Sequence, residues 1–441
     1  MDATTLFIVT LFLLLGCAVV AGELVSRLGQ AALVGQLAVG VVLGPTLLGP
    51  TLGLTGISSE FTGIEIIATF FVLMTAGLAI TPDQIYSSGV GAGLLGVALF
   101  LVPFLTGAVL VHLLYPAMSG TTGLFVALTI SITALPVLGV MLREFGLLHS
   151  RFGTYLLNGA LVNELAAVTT FSVLLRVNSN GGHGLWADSA VAVLTVAVFL
   201  ASILAVHMGL KALRQAKLWD RLVARVRTDW HSREAGLAIL VVGGLAAAIY
   251  SQAIGLTFLV GAFYAGLLVT PASVGAREHR EITKVFDAVT WGFFIPLFFA
   301  LIGFGMDLRT LAASTATLAA FAALCLFAFF SKVFVGGAFS RSLGWTGRDS
   351  LGAGFLLASR GAVELAMAYI LLAQGIFDTT TFTIVAGVGL VTTFLSPVGA
   401  RPFVRSVGAP ARALADQKAW PWIQSSFPPT PLAEADPPTT P

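Results

Sequence analysis

Residues Leu156 to Leu175 form an apolar run, LLNGALVNELAAVTTFSVLL, interrupted near its middle by Asn163 and Glu164. A helix of this length spans about 30 Å, the thickness of a bilayer's hydrocarbon layer, which sets both polar side chains near its midplane. A carboxylate at that depth costs at least about 2.5 kcal/mol, so it calls for a partner, a water-filled cavity or a transported ion. The chemistry this points to is a carboxyl group that takes up a proton or a cation in turn. Three more ionisable residues lie deep in apolar runs: Lys332, Arg360 and Glu364. Together with Glu164 their formal charges cancel. Arg360 and Glu364 are four residues apart, share a helical face and are expected to neutralise each other. Lys332, in AFFSKVFVGG, is too central to reach a membrane surface and is expected to partner Glu164 or Asn163. The plainer alternative is a permanent Lys332–Glu164 salt bridge that never cycles.

Two segments read as helix breaks. In SITALPV, Pro136 removes a backbone donor, so Ile132 and its neighbours are expected to carry free backbone groups, with the Ser131 and Thr133 hydroxyls beside them. In ASRGAVE, Gly361 weakens the helix at the matching point. Unwound carbonyls and hydroxyls suit an alkali ion, a hard cation that takes oxygen ligands. The candidate cation and proton site is therefore Glu164, Asn163, Thr133 and Ser131, with Lys332, Arg360 and Glu364 as supporting charges. An ordinary proline kink, its hydroxyls bonded to their own backbone, is the structural alternative.

Elements that could hold these residues follow from hydrophobicity. Of 441 residues, 57% are hydrophobic and 10% charged, and mean hydropathy is +0.95. Apolar runs fill the whole length, which implies an all-α polytopic membrane protein and excludes a sizeable soluble domain. Thirteen spans are expected, at about 4–22, 32–49, 61–80, 89–114, 119–142, 151–176, 187–210, 234–254, 256–272, 286–306, 311–339, 348–372 and 379–400. With that count, 19 of the 23 lysines and arginines fall in loops on one side or in the C-terminal tail, and two, Arg176 and Arg309, on the other. That asymmetry places the N-terminus outside and the C-terminus in the cytoplasm. The first span has neither a basic leader nor a convincing cleavage site and is kept as a transmembrane helix.

The two halves repeat. Gly35, Gly40 and Pro45 recur as Gly261, Gly266 and Pro271, an offset of 226, and Phe70, Phe71 and Gly77 recur as Phe298, Phe299 and Gly305, an offset of 228. Seven spans separate the copies, and an odd number makes them antiparallel, the inverted-topology repeat of secondary transporters, whose sites lie where discontinuous helices meet. At 228, Thr133 maps onto Gly361. The expected organisation is a first membrane repeat with its linking helix (1–210), a basic interfacial connector on the cytoplasmic leaflet (211–233), a second repeat (234–407) and a Pro-rich disordered tail (408–441).

Several chemistries are disfavoured. Gly91, Gly93 and Gly96 match a dinucleotide-binding pattern, but no strand precedes them and close helix packing explains them. No HExxH arrangement occurs among the six histidines and no nucleophile with a base partner stands out, so no enzyme and no cofactor are expected. Dispersed basic residues give no nucleic-acid surface. Cys17 and Cys325 sit in apolar runs and suggest neither disulfide nor zinc site.

Taken together, GQLAVGVVLGP, SITALPVLGVML, VNELAA, PLFFALIGFGMDL and SRGAVEL resemble the signature segments of the monovalent cation:proton antiporter-2 family, which includes bacterial sodium or potassium exchangers and plant cation/proton exchangers. The likeness covers nearly all thirteen spans. It implies the sodium/proton antiporter fold with two crossed discontinuous helices, a dimer of protomers whose core domain slides against a scaffold, and exchange of K⁺ or Na⁺ for H⁺ at Glu164. It matches Lys332 to the family's core lysine. Asn163 stands where electrogenic relatives have an acid, which implies one proton per cation. Two departures are the Asn-Glu pair in place of Asn-Asp, and the absence of the nucleotide-binding domain of the glutathione-gated efflux relatives. A channel-like K⁺ efflux protein, or an organic-anion carrier or sensor on the same fold, is the alternative. The expected setting is the bacterial plasma membrane.

Overall fold

The computed structural model describes residues 3–28, 30, 32–54, 58–78, 89–147, 150–179, 235–254, 256, 258–270 and 276–404, with helical positions between 194 and 212. Every regular element among them is helical. The first half contributes α1 (Ala3–Arg27), α2 (Ala32–Leu43), α3 (Ser58–Leu78), α4 (Gly89–Leu114), α5 (Gly120–Thr129), α6 (Leu135–Glu144) and α7 (Arg151–Ser179). The second contributes α8 (Ala235–Ala253), α9 (Phe258–Leu268), α10 (Ala276–Val289), α11 (Ile295–Phe304), α12 (Thr315–Ser342), α13 (Gly347–Leu357), α14 (Ala362–Ala373) and α15 (Thr379–Val404). A π-turn at Thr290–Phe294 joins α10 to α11. Helices account for twelve of the thirteen expected spans, with α5–α6 and α13–α14 each forming one span in two pieces. Much of the expected span 187–210, nearly all of the basic connector and the whole tail lie outside the described residues.

Glycines set how closely the helices pack in a first group, the scaffold, made of α1–α3 with α8, α9 and α11. A methyl group on Gly40 of α2 would overlap the Ala300 carbonyl of α11, and one on Gly303 would overlap the Leu37 carbonyl in return. The same reciprocal contact joins α3 and α9: Gly77 abuts the Phe263 carbonyl and Gly266 the Met74 carbonyl. Without Cβ atoms the backbones approach to van der Waals contact, which drives helix association where lipid removes the hydrophobic incentive. These two contacts are symmetry mates. Gly40 and Gly266, and Gly77 and Gly303, are each 226 apart. The register expected from Phe70, Phe71 and Gly77 is thereby corrected by two residues: the counterpart of Gly77 is Gly303, because backbone contact and not the neighbouring phenylalanines defines equivalence.

A second group, α4–α7 with α12–α15, forms the core. Here α4 packs on α5, α7 and α12, while α13 packs on α12 and α15. The seams between core and scaffold include α14 against α3 and α7 against α9.

Candidate cation and proton site

The two broken spans meet at their interruptions. Between α5 and α6 the helix is interrupted over Ile132–Ala134, and between α13 and α14 over Ser359–Gly361. They cross: the Ala134 amide donates to the Ser359 carbonyl at 3.1 Å, and Thr133 Oγ1 donates to the Leu357 carbonyl at 3.0 Å. A methyl group on Gly361 would stand 2.8 Å from the Ala134 Cβ, so this glycine is required by the closeness of the crossing as much as by helix weakening.

A helix that stops at midplane leaves its last carbonyls without amide partners, and its C-terminal dipole end attracts cations. Two cations answer it. The Arg360 guanidinium donates to the Thr129 carbonyl at 3.1 Å, to Ile132 at 3.3 Å and to Ile130, and reaches the Ala328 carbonyl at 3.3 Å. Lys332 Nζ donates to the Ser131 carbonyl, to Thr133 Oγ1 at 2.9 Å and to the Leu99 carbonyl at 2.8 Å. The last contact has its origin in α4 itself. The α-helical partner of the Leu99 carbonyl would be residue 103, a proline without an N–H, and Lys332 supplies the missing donor.

Asn163 stitches the first break, its Oδ1 accepting from the Thr133 amide at 2.7 Å and its Nδ2 donating to the Ser131 carbonyl at 3.1 Å. Thr393 of α15 does the same at the second break, accepting from the Arg360 amide at 3.1 Å and donating to the Arg360 carbonyl at 2.9 Å. Ser131 Oγ donates to the Ala127 carbonyl at 2.6 Å within its own helix.

Three expectations change. Lys332 bonds the break and not Glu164 or Asn163, meeting Asn163 only through the shared Ser131 carbonyl, because the break offers it three oxygens at once. The backbone groups around Ile132 are not free, since Arg360 and Lys332 fill the carbonyls. The Thr133 and Ser131 hydroxyls already donate to backbone oxygens, Thr133 across the crossing to Leu357 and Ser131 within its own helix to Ala127. The Arg360–Glu364 pair forms as expected, at 3.4 Å, with both side chains buried.

That leaves Glu164. It is fully buried on α7 one residue from Asn163, and neither carboxylate oxygen hydrogen-bonds to a described residue. The Leu135 amide at the head of α6 stands beside it without closing a bond. A carboxyl group next to a helix N-terminus, amid charges that are otherwise bonded, is available to a proton or to a desolvated cation.

The family model described as sodium/hydrogen exchanger, transmembrane, matches residues 8–406. The chain belongs to the sodium/hydrogen exchanger family. Relatives of this exchanger include the Na(+)/H(+)-K(+) antiporter GerN of Bacillus cereus, 24% identical over 377 residues that cover 86% of this chain and 91% of GerN. Another is cation/H(+) antiporter 20 of Arabidopsis thaliana, 26% identical over 404 residues, 88% of this chain and 47% of the plant protein. The exchanger thus spans about half the length of the plant relative. Its fold is that of the sodium proton antiporter MjNhaP1 from Methanocaldococcus jannaschii, with a TM-score of 0.67, 13% identity and coverage of 92% of this chain and 98% of that one.

Sequence reasoning missed three residues of this exchanger. Thr393 bears no charge, and only the fold sets it opposite Asn163 as a second brace. Pro103 lies inside the expected 89–114 span, and its missing N–H in mid-helix was the signal that could have found it. Glu65 on α3 is a buried acid inside an expected span, and the lone carboxylate in that run was the signal that could have found it.

Proposed function

We propose that the chain exchanges a monovalent alkali cation, K⁺ or Na⁺, for a proton, with Glu164 holding each in turn and access alternating between the two sides of the membrane. The observation that carries this reading is the unpartnered Glu164 carboxylate beside the crossed breaks, where every other buried core charge is bonded to protein. A proton and a cation compete for one carboxylate, and the competition makes exchange obligatory when the empty site cannot cross. Asn163, Ser131 and Thr133 hold the geometry and offer oxygen lone pairs at the edge of the site. Because Asn163 is an amide, one proton exchanges for one cation and the cycle is electroneutral.

Finer parts of the reading are a homodimer and a bacterial plasma-membrane setting with the N-terminus outside. The basic-residue asymmetry supports the orientation. The apolar faces of α1 and α8, with Phe12 at 73% and Ile249 at 69% exposure, offer contact area for lipid or a second copy.

The test is Glu164→Gln in proteoliposomes, with internal pH followed by a dye and Li⁺, Na⁺, K⁺ or Rb⁺ added. Cation-driven proton flux disappears in the variant while the fold persists, since the amide matches the acid in shape. Undiminished flux refutes Glu164 as the carrier. Conductance far above exchange rates in single-channel recording favours the channel reading instead.

A further inference from the structure

The core's buried charges balance without Glu65: Lys332 and Arg360 against Glu164 and Glu364. Glu65 is a fifth, at 9% exposure, and no described residue hydrogen-bonds or ion-pairs with its carboxylate. Among the elements packed on α3, α10 stacks its Phe286 on Phe71 at 5.1 Å and carries Arg280 and Lys284, both exposed, and neither ion-pairs with Glu65. α9 contributes Tyr264, α14 contributes Glu364 and Tyr369, and α11 and the π-turn contribute no titratable group. The Thr69 hydroxyl on the same face donates to the Glu65 backbone carbonyl, at 2.7 Å, and not to the acid. An unneutralised carboxylate in a membrane domain must carry a proton or a cation.

A half-open cavity of about 150 Å³ lies on this face of α3. Its walls are Thr62, Ile66 and Thr69 of α3, Phe258 of α9, Tyr369 of α14 and Gln374 just beyond it. Glu65 follows Thr62 by three residues and precedes Thr69 by four, which sets it on the flank of the lining face. The cavity straddles the seam between scaffold and core, since α3 and α9 belong to the first group and α14 to the second. From its wall α14 runs back to Glu364 and the crossing, and α9 touches α7, the helix of Glu164. By the basic-residue asymmetry the end of α3 at which the cavity lies is the external one.

We propose that Glu65 is a second binding carboxylate for monovalent cations, at the outer end of the route to Glu164, formed where scaffold and core meet. This rests on the exchange reading above and adds a side-specific step to it: a cation arriving from the external phase is held at Glu65 before the seam admits it to Glu164. From the cytoplasmic phase the same cation never meets Glu65 before binding.

The experiment measures exchange in oriented proteoliposomes of the full chain, with the cation on one side at a time, for wild type, Glu65→Gln, Glu65→Asp and Glu164→Gln. Removing one nearby negative charge from a poorly screened route raises the external cation KM of Glu65→Gln about five- to tenfold. The KM from the cytoplasmic side and the rate at saturation stay at wild-type values, and Glu65→Asp recovers most of the external affinity. An unchanged external KM overturns the proposal, and so does an equal change from both sides or a fall in saturating rate alone, which marks a structural acid. If Glu65→Gln does not fold, Glu65→Met carries the same test: a raised external KM with an unchanged cytoplasmic KM supports the proposal, and an unchanged external KM or a loss equal on both sides overturns it. Persistent flux in Glu164→Gln is a separate outcome that refutes the exchange reading and not the Glu65 site.

Discussion

Replacing Lys332 by methionine isolates the bond between its ammonium and α4. Lys332 touches three oxygens, but two of them keep other partners: the Ser131 carbonyl retains Asn163, and Thr133 Oγ1 retains the Leu357 carbonyl. Only the Leu99 carbonyl is orphaned, since Pro103 cannot reach back to it. Leaving one buried acceptor unsatisfied costs about 1–3 kcal/mol, and methionine fills the volume of the lysine stem, so a loss of that size is expected for Lys332→Met. The decisive arm is Pro103→Ala, which restores an N–H at the α-helical partner position. In the Lys332→Met background it recovers most of the loss. In wild type its effect is small, because Lys332 already occupies the acceptor. The readout is a double-mutant cycle on SDS-titrated unfolding in detergent micelles, followed by tryptophan fluorescence. A coupling near zero, with Pro103→Ala changing both backgrounds alike, refutes the assignment of Lys332 as the surrogate donor for α4.

Gly40→Ala and Gly266→Ala force a methyl against the Ala300 and Met74 carbonyls, respectively; each is expected to destabilise by about 1–3 kcal/mol in the same unfolding assay. Symmetry makes the two losses similar, and a tolerated Gly40→Ala beside a disruptive Gly266→Ala contradicts the 226 register. Asn163→Asp keeps the acceptor for the Thr133 amide but removes the donor to the Ser131 carbonyl, so the break loosens by about 1 kcal/mol and a second acid enters the site. Membrane-potential dyes in proteoliposomes then report charge movement absent from wild type, and continued electroneutrality speaks against Asn163 as the determinant of stoichiometry.

How much was legible in the chain follows from what each signal depends on. Membrane class, the helical spans and the position of Glu164 at mid-depth come from hydrophobicity and length alone, since a bilayer fixes how many apolar residues a helix needs. Both breaks could be read, because Pro136 and Gly361 act locally on the backbone. The Arg360–Glu364 pair was readable as well, being a matter of helical spacing. Partner choice for Lys332 was not, because it depends on which of several oxygens at the crossing lies within reach of one flexible stem, and Pro103, far away in the chain, supplied one of them. The repeat register was likewise settled by backbone contact between helices more than two hundred residues apart, where Gly303 and not the sequence-matched Gly305 meets Gly40. Thr393 and Glu65 took their places from tertiary packing: one gained a role by facing an interrupted helix, the other by standing at a seam between two groups of helices. Sequence determines which groups must be satisfied in lipid; only the folded arrangement decides which neighbour satisfies them, and so which carboxylates are left open.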